Sequence, residues 1–246
     1  MKEKVILLGD SITQGLGSKK INFTEELQNM LGEGYSVSNM ALTGTTIHYA
    51  EEILPSIFQQ KPRYVVIVYG NVDAQIRPCR TGKVFKHIPK RFQKNGMLMP
   101  RPFYSHTLKK KIAQKVENTM RSFYSELICA VDGTEQWVDI QDFSETYRRV
   151  LDRLINEGID VLACSTVAID NKMFPGSLEQ YERFNTEIQI IAEAKKIPYV
   201  DVFSPLKRAV CDGGWKSVYC YDHFHPNEGG YKIMAEVIAD NLIGER

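Results

Sequence analysis

The stretch VILLGDSITQG, residues 5–15, joins a short apolar run to a turn of small and polar residues. A continuous apolar run that is bounded by turn residues is typical of a strand buried on both faces. The run therefore predicts a buried strand over Val5–Gly9. Asp10 and Ser11 follow it directly and are predicted to lie at the carboxyl end of that strand.

Four further runs rich in Val, Ile, Leu or Tyr predict four more buried strands, at Ser36–Ala41, Tyr64–Gly70, Asp160–Thr166 and Tyr199–Phe203. Segments with helical spacing lie between and after them, at Asn22–Leu31, Tyr49–Gln60, Leu108–Val131, Ile140–Asn156, Leu178–Lys196 and Tyr231–Leu242. In Leu108–Val131, apolar residues at 108, 112, 116, 120, 123, 127 and 131 form one helical face. The alternation predicts an α/β fold, with a parallel sheet covered by helices on both faces.

The length and composition favour a soluble globular protein with a single domain over residues 1–246. The chain has 43% hydrophobic and 25% charged residues, and no segment is apolar enough to span a membrane. No secretory signal precedes the first predicted strand. The five cysteines are odd in number and lack metal-ligand spacing, which favours reduced thiols and a cytoplasmic location.

Charge is unevenly distributed along the chain. Twelve of the 31 Lys and Arg residues lie between Ala74 and Val116, a segment without any Asp or Glu. Prolines and glycines without a clean period predict an irregular basic insertion at about residues 74–104, after the third strand. A solvated loop, a rim that binds anions and a nucleic-acid surface all remain open. An anionic substrate is favoured over nucleic acid, because this insertion should overhang the carboxyl edge of the sheet.

A second motif, DHFHP, occupies residues 222–226, just before the last predicted helix. A serine hydroxyl is a weak nucleophile unless a base removes its proton. His225 can be that base, and Asp222, three residues earlier in the same loop, can orient its ring. Taken alone, Ser11 could equally be a helix cap or part of a turn that binds phosphate. The two motifs together favour a nucleophile.

GDSITQG at residues 9–15, combined with DHFHP near the other end, resembles the SGNH (GDSL) hydrolase family. The resemblance implies a three-layer α/β/α sandwich with a flavodoxin-like, five-stranded parallel sheet in the order 2-1-3-4-5. It also implies that Ser11 is the nucleophile, His225 the base and Asp222 its partner. The backbone N–H groups of Ser11 and Gly44 would line the oxyanion hole. Because the family's base directly precedes proline, His223 is interpreted as a packing residue.

The third family motif is altered in this chain. The family has G-x-N-D after the third strand, with the Asn side chain as an oxyanion donor, whereas residues 70–73 read GNVD. Val72 occupies the donor position and offers no side-chain donor. Either Asn71 reaches the oxyanion hole from one position earlier, or one donor is missing.

These features predict a serine-dependent ester hydrolase that removes a small acyl group, such as acetyl, from a carbohydrate or a related metabolite. A lysophospholipase, a thioesterase and a degenerate binding module remain alternatives. Asp10 and Asp73, in the motif loops, and Arg77 and Arg80, at the start of the basic segment, are predicted to bind substrate. The expected partner is a small-molecule or glycan ester, with an anionic group as an open option. No metal or cofactor motif is present, and the oligomeric state is left open.

Overall fold

The computed structural model describes residues 2–18, 22–94, 98 and 107–244. Its strands, in chain order, are β1 (Glu3–Gly9), β2 (Tyr35–Asn39), β3 (Tyr64–Val68), β4 (Arg77–Pro78), β5 (Thr134–Glu135), β6 (Asp160–Cys164) and β7 (Tyr199–Val200). Five of these strands form one parallel sheet in the order β2-β1-β3-β6-β7. This is the predicted order 2-1-3-4-5 with the small strands β4 and β5 left out, so the predicted fold class is confirmed.

Helices cover both faces of this sheet. They are α1 (Phe23–Leu31), α2 (Ile47–Gln60), α3 (Leu108–Val131), α4 (Ile140–Asn156), α5 (Ser177–Lys195), α6 (Phe203–Gly213), α7 (Trp215–Val218) and α8 (Glu228–Gly244). Helices α1 and α8 pack together on one side, and α2, α4 and α5 follow one another on the other. The side chains of β3 are all buried, because both faces of this strand are covered. Within the described ranges, no helix is long and apolar enough to cross a bilayer.

Four of the five strands end earlier than the sequence predicted. The ends expected at residues 41, 70, 166 and 203 are observed at residues 39, 68, 164 and 200. Some residues beyond the strand ends keep single ladder bonds, such as Met40 N–H to Leu7 O, while others turn to loop contacts at the carboxyl edge. Gly70, for example, donates its N–H to the Asp73 carboxylate over 3.1 Å.

Helices α6 and α7 were not predicted from the sequence. A residue from another part of the chain caps the first turn of α6. The Ser165 hydroxyl accepts hydrogen bonds from the N–H groups of Val202 and Phe203 at 3.0 and 2.9 Å. Nearby in sequence, Asp201 Oδ1 accepts from Ser204 N–H at 3.0 Å, so the first turn has one local and one distant capping group. Phe203 therefore begins a helix rather than ending a strand.

The basic insertion is a small substructure with its own apolar cluster. Strand β4 pairs with β5 in an antiparallel ribbon, and two short 3-10 turns follow at Phe85–His87 and Lys90–Phe92. Ile88, Phe92 and Leu98 pack against Ile128 of α3, apart from the main core. The rest of the predicted insertion, residues 95–97 and 99–104, lies outside the described residues.

Candidate active site

The two sequence motifs meet at the carboxyl edge of the sheet. Ser11 follows β1, and the loop that holds Asp222 and His225 precedes α8. His225 Nε2 lies 3.0 Å from Ser11 Oγ, and His225 Nδ1 lies 2.6 Å from Asp222 Oδ2. All three residues are buried: Ser11 is 4% exposed, His225 8% and Asp222 0%. The arrangement gives the serine proton a nearby acceptor whose ring is oriented by a carboxylate.

The backbone of the DHFHP loop fixes the carboxylate that orients the ring. Asp222 Oδ1 accepts hydrogen bonds from the N–H groups of Phe224 and His225, at 3.2 and 3.1 Å. The other oxygen, Oδ2, is thereby directed to the imidazole. Across the site, the Tyr231 hydroxyl of α8 donates to the Leu16 carbonyl over 2.7 Å, which ties the end of the chain to the serine loop.

His223 belongs to a second histidine–aspartate pair in the same loop. Its Nδ1 lies 2.6 Å from Asp170 Oδ2, and its ring stacks on Trp215 at 5.1 Å with an interplanar angle of 9°. His223 also has a left-handed backbone, with φ of 50°. The loop thus directs two histidines to two different carboxylates, and it is His225 that lies beside Ser11.

Ser11 and Gly44 lie on neighbouring loops. The ladder between β1 and β2 continues past the strands, with Met40 N–H donating to Leu7 O at 2.9 Å and Leu42 N–H to Gly9 O at 3.1 Å. Gly44 is exposed, has a φ of 76°, and has no other atom within 4 Å of where a Cβ would stand. Among the hydrogen bonds of the described residues, none uses the N–H of Ser11 or Gly44. Both groups are available to an incoming oxygen.

Asn71 is buried and is held by contacts with distant parts of the chain. It is 0% exposed, its Oδ1 accepts from Val167 N–H at 2.9 Å, and its carbonyl accepts from the Tyr181 hydroxyl at 2.6 Å. Its amide Nδ2 is buried and has no hydrogen-bond partner among the described residues, and the side chain lowers the pKa of the neighbouring Asp10 carboxyl.

Asp10 and Asp73 are fully buried and hold backbone amides. Asp10 accepts from Ile12 N–H at 2.9 Å, whereas Asp73 accepts from Ile47 N–H at 2.8 Å and from Gly70 N–H. Burial raises the pKa of Asp10 to about 6 and that of Asp73 to about 7, and the charge of Asp10 adds to the shift of Asp73. Both carboxylates are therefore buried in contacts that hold the motif loops.

The raised pKa values predict that stability falls as pH rises. A carboxyl with a raised pKa in the folded state stabilises the fold fully below its unfolded pKa of about 3.9, and this contribution is lost as pH rises through the folded pKa. For Asp73 the window is therefore about pH 4 to 7. In wild type, the free energy of unfolding should fall between pH 4 and 8. In Asp73→Asn this fall should be smaller by up to a few kcal/mol, since one pKa unit corresponds to about 1.4 kcal/mol.

The measurement is urea unfolding at a series of pH values. Asp73→Asn loses one acceptor for Gly70 N–H, so its overall stability is also lower, and the slope with pH is the informative quantity. Exposed Asp212 supplies the matched control, since Asp212→Asn should keep the wild-type slope. Equal slopes for wild type and Asp73→Asn would contradict the prediction.

Arg77 and Arg80 contact residues on either side of the insertion. Arg77 Nη1 donates to Val72 O at 2.9 Å, and the guanidinium lies 3.7 Å from the centre of the Trp137 ring. Burial lowers the pKa of Arg77 to about 10. Arg80 Nε donates to Glu135 Oε1 over 2.6 Å. Arg80 thus links β4 to β5, and Arg77 links β4 to Trp137 in the segment that follows β5.

Two aromatic residues beside the triad were not singled out from the sequence. The Phe224 ring meets the His225 ring edge-on at 4.8 Å, and Phe174 packs on Phe224 at 5.6 Å. Phe174 also lines a neighbouring cavity of about 250 Å³, together with Ile76 and Met173. The only sequence feature that could have indicated Phe224 as a site residue was its position between Asp222 and His225. Among the described residues, no group of three or more His, Cys, Asp or Glu could hold a metal ion.

Comparisons with known proteins agree with this architecture. The model of a family described as the GDSL-like Lipase/Acylhydrolase family matches residues 7–233. A lipase/acylhydrolase from Enterococcus faecalis is 16% identical, with a TM-score of 0.62, over 99% of this chain and 96% of that chain. A catalytic mutant of Axe2, an acetylxylan esterase from Geobacillus stearothermophilus, is 15% identical, with a TM-score of 0.62, over 98% of this chain and 94% of that chain. No curated protein matches the chain. At these identities the solved structures establish the fold.

Proposed function

The chain belongs to the GDSL-like lipase/acylhydrolase family, and from that premise we propose that it is a carboxylic ester hydrolase with Ser11 as the nucleophile. The observation that carries the proposal is the continuous hydrogen-bonded path from Ser11 through His225 to Asp222. A side chain with this geometry is activated by its neighbours, since serine alone is a poor nucleophile at neutral pH.

In the proposed acylation step, Ser11 Oγ attacks the ester carbonyl carbon while His225 Nε2 takes the hydroxyl proton. The tetrahedral intermediate then collapses, the bond to the alcohol oxygen breaks, and the imidazolium returns its proton to the leaving alcohol. Asp222 keeps Nδ1 protonated and stabilises the charged ring throughout. Water, deprotonated by His225, then attacks the acyl-enzyme, releases the acid and restores Ser11.

The developing oxyanion would be stabilised by two backbone donors, the N–H groups of Ser11 and Gly44. Their lack of other partners among the described residues supports this assignment, as does the open face of Gly44. We assign these two donors as the minimum set, since the Asn71 side chain is fully buried. Val72 stands at the position of the family's third donor and has no side-chain N–H. Loss of one such donor typically costs about 10²–10³ in turnover.

For the substrate, we favour deacetylation of a carbohydrate. The support is the fold shared with an acetylxylan esterase over nearly the full length of both chains. A lysophospholipase or thioesterase would use the same residues, and the fold is equally shared with a lipase/acylhydrolase. Initial rates on acetylated xylo-oligosaccharides, on acyl thioesters and on p-nitrophenyl esters of two to twelve acyl carbons separate these possibilities. We expect the rates to fall steeply beyond the shortest acyl chains.

A non-catalytic binding module on the same fold is the second candidate, and the absent oxyanion donor at Val72 is the observation that favours it. Labelling with a serine-directed fluorophosphonate distinguishes the two. The hydrolase requires a covalent adduct on Ser11, located by mass spectrometry of the peptide that contains residues 5–18. Complete inertness of the folded chain toward the reagent would favour the binding module.

Restoring the family's amide donor is expected to raise turnover. Val72→Asn should increase kcat on a p-nitrophenyl ester by about tenfold or more, since a missing donor accounts for about 10²–10³. Val72→Ala is the matched control, because it also changes the buried side chain but adds no donor. Equal kcat values for the two variants would indicate that position 72 does not face the oxyanion.

A further inference from the structure

Helix α3 exposes its apolar face. Six large apolar side chains along one side of this helix are each at least 39% exposed: Leu108, Ile112, Val116, Phe123, Leu127 and Val131. The helical period predicted that these residues share a face. A face of this kind normally lies against the core. Here six of its seven residues are exposed, and only Met120, at the middle of the row, is partly buried against the cluster that contains Phe92 and Ile128.

The opposite side of α3, which packs on the protein, is partly polar. Its buried residues are Asn118, Arg121 and Ile128, and Arg121 Nη2 pairs with Glu117 at 3.1 Å on the same helix. A helix that buries an arginine and exposes six large apolar side chains is inverted relative to an ordinary surface helix. Exposed apolar patches of this extent mark interaction sites.

The spacing of the exposed residues is the same in both directions along the helix. Starting from the midpoint between Thr119 and Met120, apolar residues occur at equal distances toward each end. We propose that α3 pairs in an antiparallel manner with α3 of a second copy of this chain, about a two-fold axis at that midpoint. Leu108 then faces Val131 of the second copy, Ile112 faces Leu127, and Val116 faces Phe123. Each pair therefore combines two side chains that differ in size or shape.

The exposed charges of α3 fit the same arrangement. Four exposed lysines lie in the amino-terminal half, at positions 109, 110, 111 and 115, whereas the exposed charge of the carboxyl-terminal half is Glu126. Antiparallel pairing brings Lys115 of each copy next to Glu126 of the other, on the same flank of the apolar stripe. A helix lying on an anionic membrane would be expected to carry cations along its whole length. The separation of charges on α3 therefore favours a second copy over a lipid surface.

The size of the face suits a specific but modest interface. Burying a large apolar side chain removes roughly 60–100 Å² from water, so six partly exposed ones give on the order of 500 Å² per copy. Two copies together bury about 1,000 Å² before the flanking residues are counted, which is where specific interfaces begin. We therefore expect a dimer that dissociates on dilution rather than an inseparable one.

Sedimentation velocity over a range of protein concentrations tests the proposal. Wild type should change from the mass of one chain to that of two as concentration rises. Phe123→Asp and Val116→Asp should shift the dissociation constant upward by at least tenfold. Ile190→Asp, at a 51% exposed position on α5, is the matched control and should associate like wild type.

Charge reversal tests the register directly. Lys115→Glu and Glu126→Lys should each weaken association by placing like charges together, and the double variant should recover it. A Thr119→Cys variant should form a disulfide-linked dimer on mild oxidation, since the two Thr119 residues lie beside the axis. A wild type that stays monomeric at every concentration, or a dimer unaffected by Phe123→Asp, would overturn the proposal. So would a monomer that binds vesicles with anionic lipids through Phe123.

Discussion

Ser11→Ala is expected to remove nearly all ester hydrolysis, with a loss in kcat on the order of 10⁶, as found when the nucleophile of a serine triad is removed. His225→Ala should cost about as much, because without the base the hydroxyl keeps its proton. The double variant should be no worse than either single one, since the two groups act as a unit. The measurement is kcat on a p-nitrophenyl ester together with fluorophosphonate labelling.

Stability separates lost chemistry from lost fold in these variants. Ser11 is 4% exposed and its hydroxyl is paired with His225, so Ser11→Ala removes one hydrogen bond and leaves no large cavity. The melting temperature should stay within a few degrees of wild type. If folded Ser11→Ala kept wild-type turnover, hydrolysis would have to use another nucleophile, and the proposed function of this site would fail.

The sequence predicted the sheet because its strands are buried on both faces. Runs such as Tyr64–Val68 are apolar throughout, and their alternation with helices leaves few possible topologies. Motifs at the ends of such strands must then share one edge, which is how the sequence could place Ser11 beside a loop more than 200 residues away. Strand ends were predicted less well, because the contacts that end a ladder come from other loops.

The environment of the site residues could not be predicted from local sequence. Arg77 was expected to face the substrate, yet its guanidinium packs on Trp137, sixty positions further along the chain. The surroundings of Asn71 depend on Val167 and Tyr181, which are about a hundred positions further along the chain. The assignment of the site residues remains a prediction for the kinetic experiments to test.

For helix α3, the sequence predicted the helix but not its surroundings. The periodicity correctly predicted the bounds of the helix and the residues that share its apolar face. It carries no information on which neighbour covers that face, since a core and a second chain require the same pattern. Only the placement of Asn118 and Arg121 on the buried side shows that the apolar side points outward.

The two histidine–aspartate pairs of the DHFHP loop allow a controlled test of the base. Both pairs have the same Nδ1–Oδ2 distance of 2.6 Å, but only His225 lies beside Ser11. Asp222→Asn is expected to lower kcat by about 10⁴, because an amide at this position can favour the wrong imidazole tautomer. Asp170→Asn makes the identical chemical change in the other pair and should leave kcat within about tenfold of wild type.

The pattern across the two pairs identifies the base. His223→Ala should resemble Asp170→Asn, with a mild change that reflects the lost stacking on Trp215. His225→Ala should resemble Asp222→Asn but be more severe, since the proton acceptor itself is removed. Because Asp222 also accepts two backbone N–H groups, unfolding curves for Asp222→Asn are needed to show that the loop is retained. Equal losses from Asp170→Asn and Asp222→Asn in folded proteins would mean that both histidines serve the reaction, and the assignment of His225 as the sole base would then be wrong.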